Sequence, residues 1–405
     1  MLEGYWRPHT AEQIRLVYSL SKSFTGTALG LAIGDGLVDL DDLVGDHLPE
    51  LTADASARTL EMRVRHLASM STGHADETLL DAFIANPTDP LAGFFTVEPQ
   101  HDPGTWFAYN QPPVLALSAL LQHATGRRIN DLLRERVLDP IGIRDLRWYQ
   151  YRPDVDLGFS GVFTNLDAIA RLGQLYLDDG MWDGEQVLPQ GWVALASSTQ
   201  TDNSHRPEPD WSRGYGFQFW MCRHGYRGDG AFGQYMVILP EHDTVVAFFS
   251  RTEPMQSFMD LIWDVLLPAL GPTTSRSPRP ITTSARPSPS TPMVTRRSPN
   301  ARRASRWPRQ RNAPVGATRS TGRSPVGSNA PTAAPTTRAS RRSMSSWIST
   351  SIDPARARLP SARWWYTRVT TRFGSRCRAG GSRSTVTPSR RALRSTTTGP
   401  SPSTS

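Results

Sequence analysis

Apolar residues recur at helical spacing through SKSFTGTALGLAIGDG, with Phe24, Ala28, Leu31 and Ala32 on one repeat, a hydroxyl residue from Ser19 onward at the entrance and Gly34 or Gly36 at the exit. The stretch is apolar almost all round, so the helix it predicts belongs in a protein interior. Further helices are predicted at 114–125, 129–138, 166–178 and 256–268, with Gly and Pro between them. A different period appears at 234–249, QYMVILPEHDTVVAFF, where two runs rich in β-branched and aromatic residues flank a turn at Pro240–Asp243. Both runs are apolar on both faces, as central strands covered by helices are. Helices followed by late antiparallel strands predict an α+β fold.

Beyond residue 270 this patterning stops. Residues 1–270 hold 36 acidic against 19 basic side chains, whereas residues 271–405 hold one acid, Asp353, against 26 arginines. The first part is an acidic domain large enough to bury a core. The second, rich in Arg, Ser, Thr and Pro with no sustained period, is expected to lack a packed structure. Its arginines could neutralise phosphates and hold nucleic acid, or tether the chain to an anionic surface. The abrupt loss of acids is what a GC-rich gene read out of frame would produce, and this reading is preferred to the other two. Cys222 and Cys377 lie on opposite sides of the boundary and imply no disulfide framework. No segment reaches the length of a membrane span and no leader pattern opens the chain, which leads to the expectation of a cytoplasmic protein.

Charge also singles out one residue. Lys22 is the only lysine in 405 residues, three places after Ser19 in YSLSK. On a helix, residues i and i+3 share a face. A serine hydroxyl becomes a nucleophile when a neighbour removes its proton, and a lysine does so once burial has neutralised it. Arginine cannot be neutralised in this way. The plainer alternative is a helix-capping serine followed by a solvated lysine.

With these residues in view, the stretch from Ser19 to Asp42 resembles the active-site helix of serine hydrolases related to class C β-lactamases and penicillin-binding peptidases, whose signature is Ser-x-x-Lys. The likeness continues through VRHLASMSTGH (64–74), DPGTWFAYNQ (102–111), 170–193 and 228–250. It implies an antiparallel sheet flanked by helices, an all-helical subdomain, and an acyl-enzyme formed on Ser19 with Lys22 and Tyr109 handling protons. Tyr109 matches the tyrosine of the family's Tyr-x-Asn, and neighbouring positive charge would lower its pKa; either Asn110 or Gln111 supplies the amide. By the same comparison the oxyanion hole comes from the N–H groups of Ser19 and of the strand near Phe232. Where the family carries Lys-Thr-Gly or His-x-Gly, this chain has Asp229-Gly230-Ala231. The reversed sign would repel a substrate carboxylate and favour a neutral or amine-bearing ester or amide; alternatively Asp229 is a turn residue. Only eighteen residues precede Ser19, whereas family members place a helix and strands there, so the sheet is expected to lack its first strands and to be marginally stable.

No metal or organic cofactor is called for. His66, His74 and Asp76 have no second ligand pair at metal-binding spacing and read as loop residues. GFSGV at 158–162 misses the Gly-x-Ser-x-Gly elbow of another hydrolase class by one place. The rival from a different class is a non-catalytic binding protein that keeps the fold.

Overall fold

The run at 234–249 forms the hairpin its β-branched residues predict. Gln234–Leu239 and Thr244–Phe249 pair antiparallel, in register from Gln234 opposite Phe249 to Leu239 opposite Thr244. A short turn at Pro240–His242 reverses the chain, and Asp243 closes it in the left-handed region, which aspartate tolerates better than most residues. Every residue of both strands is buried.

The computed structural model describes residues 2–270 and the strand at 367–371. Its principal strands are β1 (Leu2–Gly4), β2 (Arg15–Leu16), β3 (Leu146–Trp148), β4 (Val162–Thr164), β5 (Trp220–Cys222), β6 (Gly225–Gly230), β7 (Gln234–Leu239), β8 (Thr244–Phe249) and β9 (Thr367–Thr371). The large sheet runs β1-β9-β8-β7-β6-β5, antiparallel throughout, and a small sheet runs β2-β4-β3. The helices that matter for the site are α1 (Ser21–Gly34), α2 (Leu79–Ala85), α3 (Pro112–Thr125), α4 (Leu166–Leu177) and α5 (Met255–Leu261).

Helices cover both faces of the large sheet. On one face α4 lies so close that a Cβ on Gly173 would come 2.6 Å from Val245, so only glycine allows this approach. On the other, Phe258 and Met259 of α5 join Tyr235, Val237, Val246 and Phe248 in one buried cluster. Alternate residues of β7 and β8 thus serve alternate faces, each a dry contact layer. The predicted interior helix is present as α1, buried from Ser21 through Ala32.

Two predicted helices are interrupted. Residues 129–138 are a helical turn at Ile129–Leu133 followed by a wider π turn at Arg134–Leu138, and 256–268 contains a second π turn at Ile262–Leu266. Apolar spacing does not register one extra residue in a turn. The expectation for 271–405 falls outside the described residues except at Thr367–Thr371, a short segment that pairs with both β8 and β1. Four of its five residues are β-branched, a local strand preference inside a stretch without long-range pattern. His66 is likewise not a loop residue; it lies in the helix Val64–Ala68, where its Nδ1 accepts the Arg63 N–H. His74 is buried, bonded to Thr72 and the Val97 carbonyl. Among the described residues no group of metal-ligating side chains converges, and no helix is long and apolar enough to cross a membrane.

Candidate active site

Ser19 is not on the long helix itself. It occupies a single tight turn, Tyr18–Leu20, that leads into α1, and Lys22 is the second residue of α1. In a tight turn residues i and i+3 nearly eclipse, so the predicted contact survives the change of geometry. The Nζ of Lys22 lies 3.2 Å from Ser19 Oγ, 2.7 Å from Gln111 Oε1 and 2.9 Å from the Phe159 carbonyl oxygen.

Those three contacts constrain how a neutral Lys22 can be oriented. A neutral amine has two N–H donors and one lone pair. Gln111 Oε1 and the Phe159 carbonyl can only accept, so they take the two donors and leave the lone pair facing the serine hydroxyl. Burial lowers the Lys22 pKa to about 7, against opposing pulls from the Asp229 and Glu77 carboxylates. The side chain is 2 % exposed, while Ser19 is half-buried and reachable.

Tyr109 completes the cluster. Its ring lies 4.8 Å from Lys22 Nζ and is stacked on Trp220 at 4.9 Å, and its hydroxyl bonds to Ser19. The expected lowering of its pKa does not occur. Burial, and then the Asp229 carboxylate, push the phenol well above its usual value, outweighing Arg206 and Arg227. Tyr109 is therefore a protonated phenol, suited to donating.

The two candidate amides separate cleanly. Gln111 caps α3 and accepts from Lys22, whereas Asn110 is fully buried, with Oδ1 taking both the N–H and the hydroxyl of Thr78. Asn110 is thus tied to the segment ahead of α2 and does not join Lys22.

Asp229 requires a correction. It is neither a turn residue nor an isolated charge: it lies on β6, 7 % exposed, and accepts from Arg227 Nε at 3.0 Å. Arg227 is fully buried, donates also to the Asp210 carbonyl, and packs 4.4 Å from the centre of the Trp211 ring. The pair carries no net charge, so Asp229 supplies little repulsion toward a substrate carboxylate. Residues two apart on a strand share a face, and the Arg-x-Asp spacing was the available signal.

Gly230 has a packing role. A Cβ there would fall 2.1 Å from the Val17 carbonyl oxygen, and one on Gly228 would fall 2.4 Å from Ser23 Oγ. Gly230 lets β6 lie against the chain entering the turn that carries Ser19, and Gly228 lets it lie against the first turn of α1. The following loop brings Phe232 opposite that turn, with its ring edge-on to Tyr18 at 5.4 Å. Tyr18 and Phe232 both have positive φ, at 50° and 66°, a strained conformation for aromatic residues and one often found where backbone groups are aimed. Among the described residues neither the Ser19 nor the Phe232 N–H donates to a protein acceptor.

Sequence reasoning missed the Phe159 carbonyl, which no side-chain pattern encodes, and Glu77, whose place beside Gln111 depends on tertiary packing. The Glu77 Oε1 accepts from the Leu79 N–H at 3.1 Å and the Gln111 N–H at 3.4 Å.

Residues 2–270 match the Beta-lactamase family over the length of the described domain. The chain belongs to that family. It is 26% identical over 278 residues to a 6-aminohexanoate-dimer hydrolase of Paenarthrobacter ureafaciens, covering 62% of this chain and 69% of the relative. It is 25% identical over 289 residues to penicillin-binding protein 4 of Amycolatopsis lactamdurans, covering 62% and 75%. A putative 6-aminohexanoate-dimer hydrolase from Bacillus anthracis superimposes with a TM-score of 0.55 at 19% identity, covering 66% of this chain and 75% of that one. The architecture of mixed helices and antiparallel sheets is accordingly the β-lactamase and transpeptidase fold.

Proposed function

We propose that this member of the family is a serine hydrolase that cleaves an ester or amide through an acyl-enzyme on Ser19. The observation that carries the reading is the buried Lys22, whose lone pair is directed at the Ser19 hydroxyl by two carbonyl acceptors. Ser19 Oγ attacks the substrate carbonyl carbon while its proton moves to Lys22 Nζ. The carbonyl oxygen becomes an oxyanion facing the free N–H groups of Ser19 and Phe232, each of which contributes about 3 kcal/mol to such a transition state. Tyr109, held protonated, gives its proton to the leaving oxygen or nitrogen as the bond to carbon breaks, and is resupplied from the Lys22 ammonium. Water then attacks the acyl-enzyme, its proton passing to Lys22, which returns it to Ser19 Oγ as the bond between that oxygen and the acyl carbon breaks.

Relatives named for a hydrolase and for a penicillin-binding protein are consistent with acyl chemistry on this scaffold. Covalent labelling by a fluorophosphonate tests the reading. Labelling of the intact protein, seen as a single mass increment that disappears in Ser19→Ala, is the expected result. A wild-type protein that is folded yet unlabelled, and inert toward p-nitrophenyl esters, linear amides and nitrocefin, would leave a binding protein as the better account.

A further inference from the structure

Asp229 is paired, and a carboxylate outside any ion pair among the described residues stands at Glu77 instead. Glu77 is half-buried, and its Oε1 is anchored by the backbone N–H groups of Leu79 and Gln111. Gln111 is the same residue whose side chain accepts from Lys22 at 2.7 Å. One residue therefore links the carboxylate to the nucleophile's base.

The second oxygen, Oε2, has no hydrogen-bond donor or cationic partner among the described residues, and it is not enclosed among the buried unpaired atoms. This contrasts with the other acids near the site. Asp229 is paired with Arg227 and Asp210 with Arg223, both within 3.0 Å. Arg206, whose charge also acts on Tyr109, is paired with Glu208. Burial raises the Glu77 pKa, and Asp81 adds to that, but the two backbone donors and Lys22 oppose it. A carboxylate held by two fixed donors and left with one open oxygen is a preformed acceptor for a cation. Keeping an anion half-desolvated without a partner is costly unless a ligand supplies the partner.

We propose that Glu77 is a specificity-determining residue that binds an alkylammonium group of the substrate, so that the preferred esters or amides carry a primary amine. The inference rests on the hydrolase reading above and adds the substrate class to it. Glu77 touches no reacting atom in the proposed steps. Its carboxylate also acts on the Lys22 pKa, but that influence is common to charged and neutral substrates and cancels in their ratio.

The test compares charged and neutral substrates of equal length. On the acyl side these are p-nitrophenyl 6-aminohexanoate and 8-aminooctanoate with their N-acetyl counterparts. On the alcohol side they are 6-aminohexyl acetate and its N-acetyl counterpart, followed by acid release. Each is assayed near pH 8 with wild type and Glu77→Gln, a substitution that keeps an oxygen for the two backbone donors. Wild type is expected to prefer the amine in at least one series. Glu77→Gln is expected to lower the ratio of kcat/KM for that amine to kcat/KM for its N-acetyl counterpart about tenfold, chiefly through the KM of the amine. Rescue of the preference in Glu77→Asp would support the same account. Equal losses on charged and neutral substrates would assign Glu77 a structural role and overturn the proposal. Turnover of both with no preference in either series would overturn it too, while leaving the hydrolase reading intact. No turnover of any ester would remove that reading and this inference together.

Discussion

At the residue scale the decisive quantity is the free energy of a single proton on Lys22. With burial holding its pKa at about 7, the amine is a competent base only above that pH. The kcat/KM for a neutral ester is therefore expected to rise with pH on a limb centred near 7, whereas Lys22→Arg, permanently charged, should lose about a thousandfold and show no such limb. A stopped-flow or steady-state pH profile from 5.5 to 9 checks both. Stability has the matching sign. The unfolded chain holds this proton up to the ordinary lysine value of 10.5 and the folded chain releases it near 7, so between those values the unfolded state binds more protons and the Lys22 contribution to stability improves as pH rises. The meeting of Ser19 and Lys22 was legible in their spacing, whereas Tyr109 and Gln111 were marked only by the resemblance to the family's Tyr-x-Asn stretch. The Phe159 carbonyl and the open oxygen of Glu77 were not, because one is backbone and the other acquires meaning only from partners that packing withholds.

At the element scale β6 carries most of what distinguishes this site. Its alternation places Arg227 and Asp229 on one face and Gly228 and Gly230 on the other, one face holding a buried ion pair and the other admitting the nucleophile turn. The hairpin β7–β8 and helix α4 were readable from periodicity, since each buries apolar residues at the period its backbone dictates. The two π turns and the strand position of Asp229 were not, because they follow from contacts far apart in the chain. Removing one member of the buried pair leaves an uncompensated charge. Arg227→Met and Asp229→Leu are each expected to destabilise the domain by about 3–5 kcal/mol, and the two combined to recover most of that loss. Urea unfolding of the single and double variants measures the difference. Destabilisation that simply adds would show that the two charges do not depend on each other.

At the scale of the whole molecule, the sheet is continued by a segment distant in sequence. Composition marks 1–270 as the region able to fold around a core, since that is where the apolar periodicity and nearly all the acidic side chains reside. It does not register the strand Thr367–Thr371, because a five-residue strand needs only local β preference and an open neighbour, and neither shows in an average over 135 residues. Backbone pairing makes this segment part of the fold: Val369 stands opposite Val246 of β8 on one side and Leu2 of β1 on the other. Proline there removes a ladder donor in the interior of a sheet, at a cost of about 3 kcal/mol. Val369→Pro is therefore expected to lower the calorimetric Tm of the full chain by several degrees, and removal of 271–405 to lower it further and to raise light scattering, because β8 then presents a long, apolar, unpaired edge. If the shortened chain melts at the same temperature and stays monomeric, β9 contributes nothing to the sheet, and the edge of β8 must be protected by the domain's own side chains.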